Sequence, residues 1–109
     1  MLDKNEVREI AFTFANSVCQ KYNPKQIVLF GSYADGIPNE ESDIDIAVIY
    51  DVVDGNWLEH WGCLIGLREN ISYDIEVHLL DETCNRTGFL NYIRSTGEII
   101  FQAEQSTAV

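Results

Sequence analysis

Residues Ile27 to Tyr50 read IVLFGSYADGIPNEESDIDIAVIY, and the rest of the chain is organised around them. The stretch opens with Ile27-Val28-Leu29-Phe30, an apolar run of the length of a buried strand. Gly31-Ser32 breaks the run, and Gly36, Pro38 and Asn39 mark a turn-rich connection. Apolar character returns in Ser42-Asp43-Ile44-Asp45-Ile46-Ala47-Val48-Ile49, a second strand with two carboxylates at its entrance. Side chains of a strand alternate between faces. Asp43 and Asp45 therefore point one way, and Ile44, Ile46 and Val48 point the other way, toward a core. Two acids ~7 Å apart on one face can share hard cations. They follow a Gly-Ser turn whose backbone N–H groups can face a phosphate.

Working outward, residues 5–22 predict an amphipathic helix. Val7, Ile10, Ala11, Phe14, Ala15, Val18, Cys19 and Tyr22 recur at three- and four-residue spacing, and Asn23-Pro24 ends it. Strands are expected at 26–30 and 44–50, with a single helical turn at 33–36. Asp54-Gly55 signals a turn in the loop from Asp51 to Asn56. Residues 57–69 read as a helix bearing Trp57, Leu58, Trp61, Leu64, Ile65 and Leu67, whose two tryptophans read either as core and helix-face packing or as a platform for a partner or nucleotide. Gly62 and Gly66 each cost such a helix ~1 kcal/mol relative to Ala, and their spacing suits close approach of another backbone.

Residues 73–80 alternate cleanly. Tyr73, Ile75, Val77 and Leu79 take one face, and Asp74, Glu76 and His78 the other, a pattern that a merely solvated sheet face also produces. Asp81-Glu82-Thr83 provides capping chemistry for a helix over 82–95 that buries Phe89, Leu90, Tyr92 and Ile93. Ser95-Thr96-Gly97 stops it, Glu98 to Phe101 forms a last strand, and 102–109 is expected to fray. The fold class is α/β: a small mixed sheet with helices packed mainly on one face.

At 109 residues the chain is expected to be one domain with a core of its own. Hydrophobic residues make up 46%, which excludes a disordered chain. No run is apolar enough to span a membrane, and the polar start Met1-Leu2-Asp3-Lys4-Asn5-Glu6 does not read as a secretion signal. Cys19, Cys63 and Cys84 form no C-x-x-C and read as reduced thiols of a cytoplasmic protein. The net charge is −11, and the seven Lys and Arg are scattered. Binding a nucleic-acid polymer needs several phosphates neutralised together, and no basic stripe here can do so. A small nucleotide chelated by metal remains compatible with the charge.

The string Gly31-Ser32, Gly36 and Ser42-Asp43-Ile44-Asp45 fits G-S-x-x-x-G-(x)n-S-D-x-D and covers, with its flanking strands, about a fifth of the chain. It resembles the nucleotidyltransferase superfamily that includes DNA polymerase beta, and within it the minimal nucleotidyltransferase branch. The resemblance implies a polymerase-beta-like fold and transfer of a nucleoside monophosphate, AMP from ATP, to a hydroxyl of a protein or small molecule. It implies that Asp43 and Asp45 bridge two Mg²⁺ ions, with Mn²⁺ as a substitute. A third acid on the following strand falls on Glu76, with Asp74 as its rival one step earlier. Ile75-Glu76-Val77-His78 is similar to an I-E-P-H variant of that strand except at Val77. Ser32 and the N–H groups of Gly31-Ser32 would grip the β- and γ-phosphates. His78 reads as a neighbour that tunes or shields the acids rather than as a ligand. The resemblance also implies a helical HEPN-type partner in a toxin–antitoxin pair, and it leaves a homo-oligomer open.

The different-class alternative is a non-catalytic acidic module that binds and neutralises a partner protein. A third option, the nucleotide-binding half of an antibiotic-modifying transferase, lacks an acceptor-binding segment. Competing phosphate and zinc signatures are absent: there is no G-x-x-x-x-G-K-[ST], no G-x-G-x-x-G and no H-E-x-x-H.

Overall fold

The computed structural model describes residues 3–35, 43–53, 55–83 and 87–103. Gly36, Pro38, Asn39, Ser42, Asp54, Cys84, Arg86 and the tail from residue 104 lie outside the described residues. The first half of the chain runs α1 (Lys4–Lys21), β1 (Gln26–Phe30), α2 (Ser32–Asp35) and β2 (Ile44–Tyr50). The second half runs α3 (Trp57–Glu69), β3 (Ile75–Asp81), α4 (Phe89–Thr96) and β4 (Glu98–Gln102).

The four strands form one mixed sheet in the order β3-β2-β1-β4. β1 is antiparallel to both β2 and β4, while β2 and β3 are parallel. A parallel pair needs a crossover, and α3 supplies it. α1 starts where Asp3 caps it, its carboxylate accepting from the Glu6 N–H at 2.8 Å. That bond holds the Asp3 carboxyl below its ordinary pKa. The helix buries Val7, Ala11, Phe14, Ala15 and Val18, one stripe at helical spacing, and stops at the extended Tyr22 ahead of Pro24.

The core has two parts, one on each face of the sheet. On the first face, the α1 stripe and Leu64 of α3 pack on Ile27, Leu29, Ile44, Ile46, Val48, Ile75, Val77 and Leu79. On the second face, Leu90 and Ile93 of α4 pack on Val28, Phe30, Ala47 and Ile49. α4 has only eight residues; Leu90 and Ile93 cover the β1 and β2 part of that face, Leu80 of β3 packs beside them, and Phe89 reaches the His78 ring. On the neighbouring stretch of β2 and β3, Glu76 is exposed and Asp45 and His78 are half-buried.

Two expectations are corrected. The helix expected over 82–95 begins at Phe89. Asp81, buried at the end of β3, accepts from the Val53 N–H at 3.2 Å, the Thr83 N–H at 3.1 Å and the Thr83 hydroxyl at 2.6 Å. Asp and Thr serve such turns as readily as they serve helix caps. Tyr73 precedes β3 and is 75% exposed, so it does not join the apolar face of Ile75, Val77 and Leu79. The face of α3 packs only in part: Ile65 and Leu67 lie against the core beside Leu64. Leu64 is buried, but Leu58 is 74% exposed and Trp57 and Trp61 are half-exposed.

α3 serves the edge of β3 instead. Trp61 Nε1 donates to the Val77 carbonyl at 3.2 Å, and Arg68 Nη1 donates to the Ile75 carbonyl at 2.8 Å and the Tyr73 carbonyl at 3.2 Å. These bonds satisfy outward carbonyls of an edge strand. His60 anchors the same helix, with Nε2 3.0 Å from the Tyr50 hydroxyl. Cys19 and Cys63 are free thiols.

The glycines separate into crowded and open positions. A Cβ on Gly66 would meet nothing within 4 Å, so no backbone approaches it. A Cβ on Gly97 would lie 2.5 Å from Val28 Cγ1 and 2.8 Å from the Leu29 carbonyl oxygen. Gly97→Ala is expected to destabilise the protein by ~1–3 kcal/mol through overpacking. Gly66→Ala is expected to stabilise it by ~0.5–1 kcal/mol. Urea unfolding of both variants checks the pair, and equal effects would contradict this account of the α4–β4 junction.

Candidate active site

The site is built by register. Asp45 of β2 lies opposite Glu76 of β3, and Ala47 lies opposite His78. Glu76 and His78 are two residues apart and share a face with Asp45, which stands opposite Glu76 and diagonal to His78. His78 Nε2 lies 3.2 Å from Asp45 Oδ1, within hydrogen-bond distance. One donor atom each from Asp45, Glu76 and His78 falls within 4.8 Å of the others.

Asp43 is exposed at the mouth of β2 and stands outside that three-residue group, though its charge reaches Glu76. Asp74 is exposed in the turn before β3. Its N–H donates to Ser72 Oγ at 3.1 Å and its carbonyl accepts from the Ile44 N–H at 2.8 Å. The acid opposite Asp45 is thus Glu76 and not Asp74.

Glu76 carries the electrostatic load of the cluster. Desolvation is the largest cause raising its pKa above the ordinary carboxylate value, followed by its hydrogen bond with Asp45. The Asp45 and Asp43 charges add to the rise, while His78 opposes it. Two edge-on rings wall the His78 side. Phe30 stands 4.9 Å and Phe89 6.3 Å from the His78 ring centroid.

Gly31 connects β1 to α2 at φ +79°, a left-handed conformation that disfavours any side chain. A Cβ there would lie 2.2 Å from Asp45 Oδ2 and 3.1 Å from Asp45 Cγ. The sequence singled out Gly31 for close approach to phosphate. The structure adds a second demand: the Asp45 carboxylate occupies the space a side chain would need. Ser32, the first residue of α2, follows immediately.

A groove of about 690 Å³ runs along the outer edge of β3 and reaches Asp43, Glu76 and His78. Trp57, Trp61 and Tyr73 line it. For Trp57 and Trp61 the sequence left both core packing and a platform open, because helical periodicity alone cannot tell a groove wall from a core face. A second cavity of about 700 Å³, lined by residues including Cys19, Lys25 and Asp51, touches none of the cluster. The donor set of the cluster, carboxylates with one imidazole, fits a divalent cation.

Two outcomes are expected from this geometry. Gly31→Ala should cost at least ~1–2 kcal/mol, because it forces a left-handed Ala and displaces Asp45. Urea unfolding measures it. A carboxyl whose folded pKa is raised contributes stability that is fully present below its unfolded pKa and lost as pH rises through the folded value. Without added metal, Glu76→Gln should therefore gain stability relative to wild type as pH rises from 4 toward 8. A melting series across that range that shows the reverse trend would contradict the strained cluster.

With this geometry in view, comparison with known proteins is informative. The family described as "Polymerase beta, Nucleotidyltransferase" matches residues 15–106. Over 47 residues the chain is 49% identical to "Putative protein adenylyltransferase MJ1379" of Methanocaldococcus jannaschii, covering 43% of this chain and 47% of that one. Over 41 residues it is 54% identical to MJ0604 of the same organism, which carries the same description, covering 36% of this chain and 41% of that one. The matches thus span less than half of either relative. In structure, the chain is similar to a "putative nucleotidyltransferase" from Sulfolobus solfataricus, with a TM-score of 0.71 and 19% identity over 94% of this chain and 86% of that one. It is also similar to a chain of a toxin–antitoxin solved with AMP-PNP, with a TM-score of 0.63 and 26% identity over 86% of this chain and 75% of that one. With its β1–Gly31–β2 unit and its carboxylate-bearing parallel pair inside the matched span, the chain belongs to the polymerase beta nucleotidyltransferase family.

Proposed function

We propose that this chain is a metal-dependent nucleotidyltransferase that moves a nucleoside monophosphate, AMP from ATP, onto a hydroxyl of a protein or small molecule. The observation that carries this reading is the pairing of Asp45 with an exposed Glu76 beside the positive-φ Gly31 turn. In such a transfer the acceptor oxygen bonds to the α-phosphorus, the bond to the bridging oxygen breaks, and pyrophosphate leaves. Asp43, Asp45 and Glu76 would hold two Mg²⁺ ions, with Mn²⁺ as a substitute. When bound, such ions neutralise phosphate charge and stabilise the attacking and leaving oxygens.

The chain's own residues divide the remaining work. Glu76 would lie nearer the acceptor and help its hydroxyl lose a proton. The Gly31-Ser32 N–H groups and the Ser32 hydroxyl hold the β- and γ-phosphates. Gly31 keeps the space that the Asp45 carboxylate needs. Phe30 and Phe89 keep water from the His78 side of Asp45. The groove along β3 gives the acceptor a path to Glu76.

The names of the two Methanocaldococcus relatives support a protein acceptor. The toxin–antitoxin neighbour supports a place as the antitoxin beside a helical HEPN-type partner. The net charge of −11 supports a small chelated nucleotide over a nucleic-acid polymer. It also favours one rival, an acidic module that neutralises a partner without chemistry. No helix of the described residues is long and apolar enough to cross a membrane.

The deciding experiment is mass spectrometry of the genomic neighbour's product after incubation with this protein, ATP and Mg²⁺ or Mn²⁺. The expected result is a gain of whole AMP units. Glu76→Gln and Asp45→Asn should lower the rate by at least ~100-fold, and Asp74→Asn should retain most of it. Loss with Asp74→Asn and retention with Glu76→Gln would move the third acid to Asp74. Neutralisation of the partner that survives all the carboxylate substitutions, with no AMP transferred, would establish the non-catalytic module.

A further inference from the structure

The second sheet face carries four donors, not three. Asp43 immediately precedes β2 and Asp45 lies on it, and Glu76 and His78 lie along β3, with Asp45 and Glu76 opposite each other in the middle. Asp43 stands at one end of that central pair and His78 at the other. The compact group is the one at the His78 end, where donor atoms of Asp45, Glu76 and His78 fall within 4.8 Å.

Distances decide what such a group can do. Neighbouring ligands of an octahedral ion with bonds of about 2.1 Å are about 3.0 Å apart, and opposite ligands about 4.2 Å. The 3.2 Å separation of His78 Nε2 from Asp45 Oδ1 matches an octahedral edge. The 4.8 Å limit on the whole group is close to the longest separation an octahedron allows, so small side-chain rotations bring all three donors onto one ion. The ring is held for this by its walls, with Phe30 at 4.9 Å and 64° and Phe89 at 6.3 Å and 60°. Phe30 in turn is Asp45's register partner across β1 and β2. The same packing thus fixes the imidazole and the strand that bears the carboxylate.

Resting on the nucleotidyltransferase reading, we propose that His78 is a direct nitrogen ligand at one end of the metal centre, and that the centre selects a first-row transition ion, Mn²⁺, over Mg²⁺. Mg²⁺ takes oxygen donors and demands near-ideal octahedral geometry, whereas an imidazole nitrogen suits transition ions. This assigns His78 a role that the sequence pattern withheld from it. Beside two carboxylates on one face, a histidine reads as a shield until its ring nitrogen is located.

Electron–nuclear double resonance on Mn²⁺ bound to protein labelled with ¹⁵N only at histidine tests this, because natural-abundance ATP then contributes no ¹⁵N signal. The expected result is a directly bonded ¹⁵N coupling in wild type and in His60→Gln, where His78 is the remaining histidine, and its loss in His78→Phe. Phe keeps a ring against Phe30 and Phe89 without a donor. By calorimetry, His78→Phe should weaken Mn²⁺ binding about tenfold or more and change Mg²⁺ binding much less, narrowing the preference. If His78→Phe does not fold, the coupling in His60→Gln decides alone. Mn²⁺ bound without ¹⁵N coupling would overturn the inference and leave the nucleotidyltransferase reading intact. No Mn²⁺ binding, with or without ATP, would overturn both.

Discussion

The parallel register of β2 and β3 is the constraint on which the rest of this structure depends. Asp45 meets Glu76 because Ile44, Ile46 and Val48 are buried on the same face as Ile75, Val77 and Leu79. A slip of one residue would turn every one of these side chains to the wrong face. Burying six aliphatic side chains is worth about 10–20 kcal/mol before entropy is counted. The Asp45 and Glu76 carboxylates, with oxygens within 4.8 Å, repel by only about 3–4 kcal/mol at an effective dielectric near 20, and solvent lowers that further. The apolar face therefore sets the register, and the acids are carried into proximity by it.

The unequal helical cover turns that register into an accessible site. α1 and one side of α3 cover the first face of the sheet, whereas the short α4 packs on Val28, Phe30, Ala47 and Ile49 of the second, with Leu80 beside them. Beyond α4, Glu76 stands exposed and Asp45 and His78 half-buried. The first residue of α4, Phe89, stacks edge-on against Phe30 and so borders that stretch. At the other end of α4, Arg94 bonds to Glu82 and to Gln26, the latter at 2.8 Å, which ties the helix to the sheet. Gly31 completes the arrangement from below, where its missing side chain admits the Asp45 carboxylate.

α3 shows how one helix can serve two purposes when only part of it is buried. Leu64 joins the core, while Trp61 and Arg68 satisfy carbonyls of the β3 edge. An edge strand with open carbonyls invites pairing with other chains, and this cover suppresses it. The aromatic surface that remains lines a groove leading to Glu76. The same residues thus protect the sheet and shape the approach to the carboxylates.

Local sequence determined the elements whose signals are local. β1, β2 and α3 begin and end where apolar runs, Gly31 and the Asn56 cap mark them. The shared face of Asp43 and Asp45, and of Glu76 and His78, follows from strand alternation alone. The start of α4 was not legible, because Asp81 and Thr83 form a turn with chemistry equally suited to a helix cap. Nor was the exposure of Trp57 and Trp61, since periodicity records that a face is apolar and not what covers it. Only tertiary structure decided that Glu76 rather than Asp74 stands opposite Asp45, and that the His78 nitrogen reaches that carboxylate. The physical reason is that pairing between strands separated by a whole crossover helix is set by packing across the sheet. A single strand's alternation contains both partners' faces but not their register.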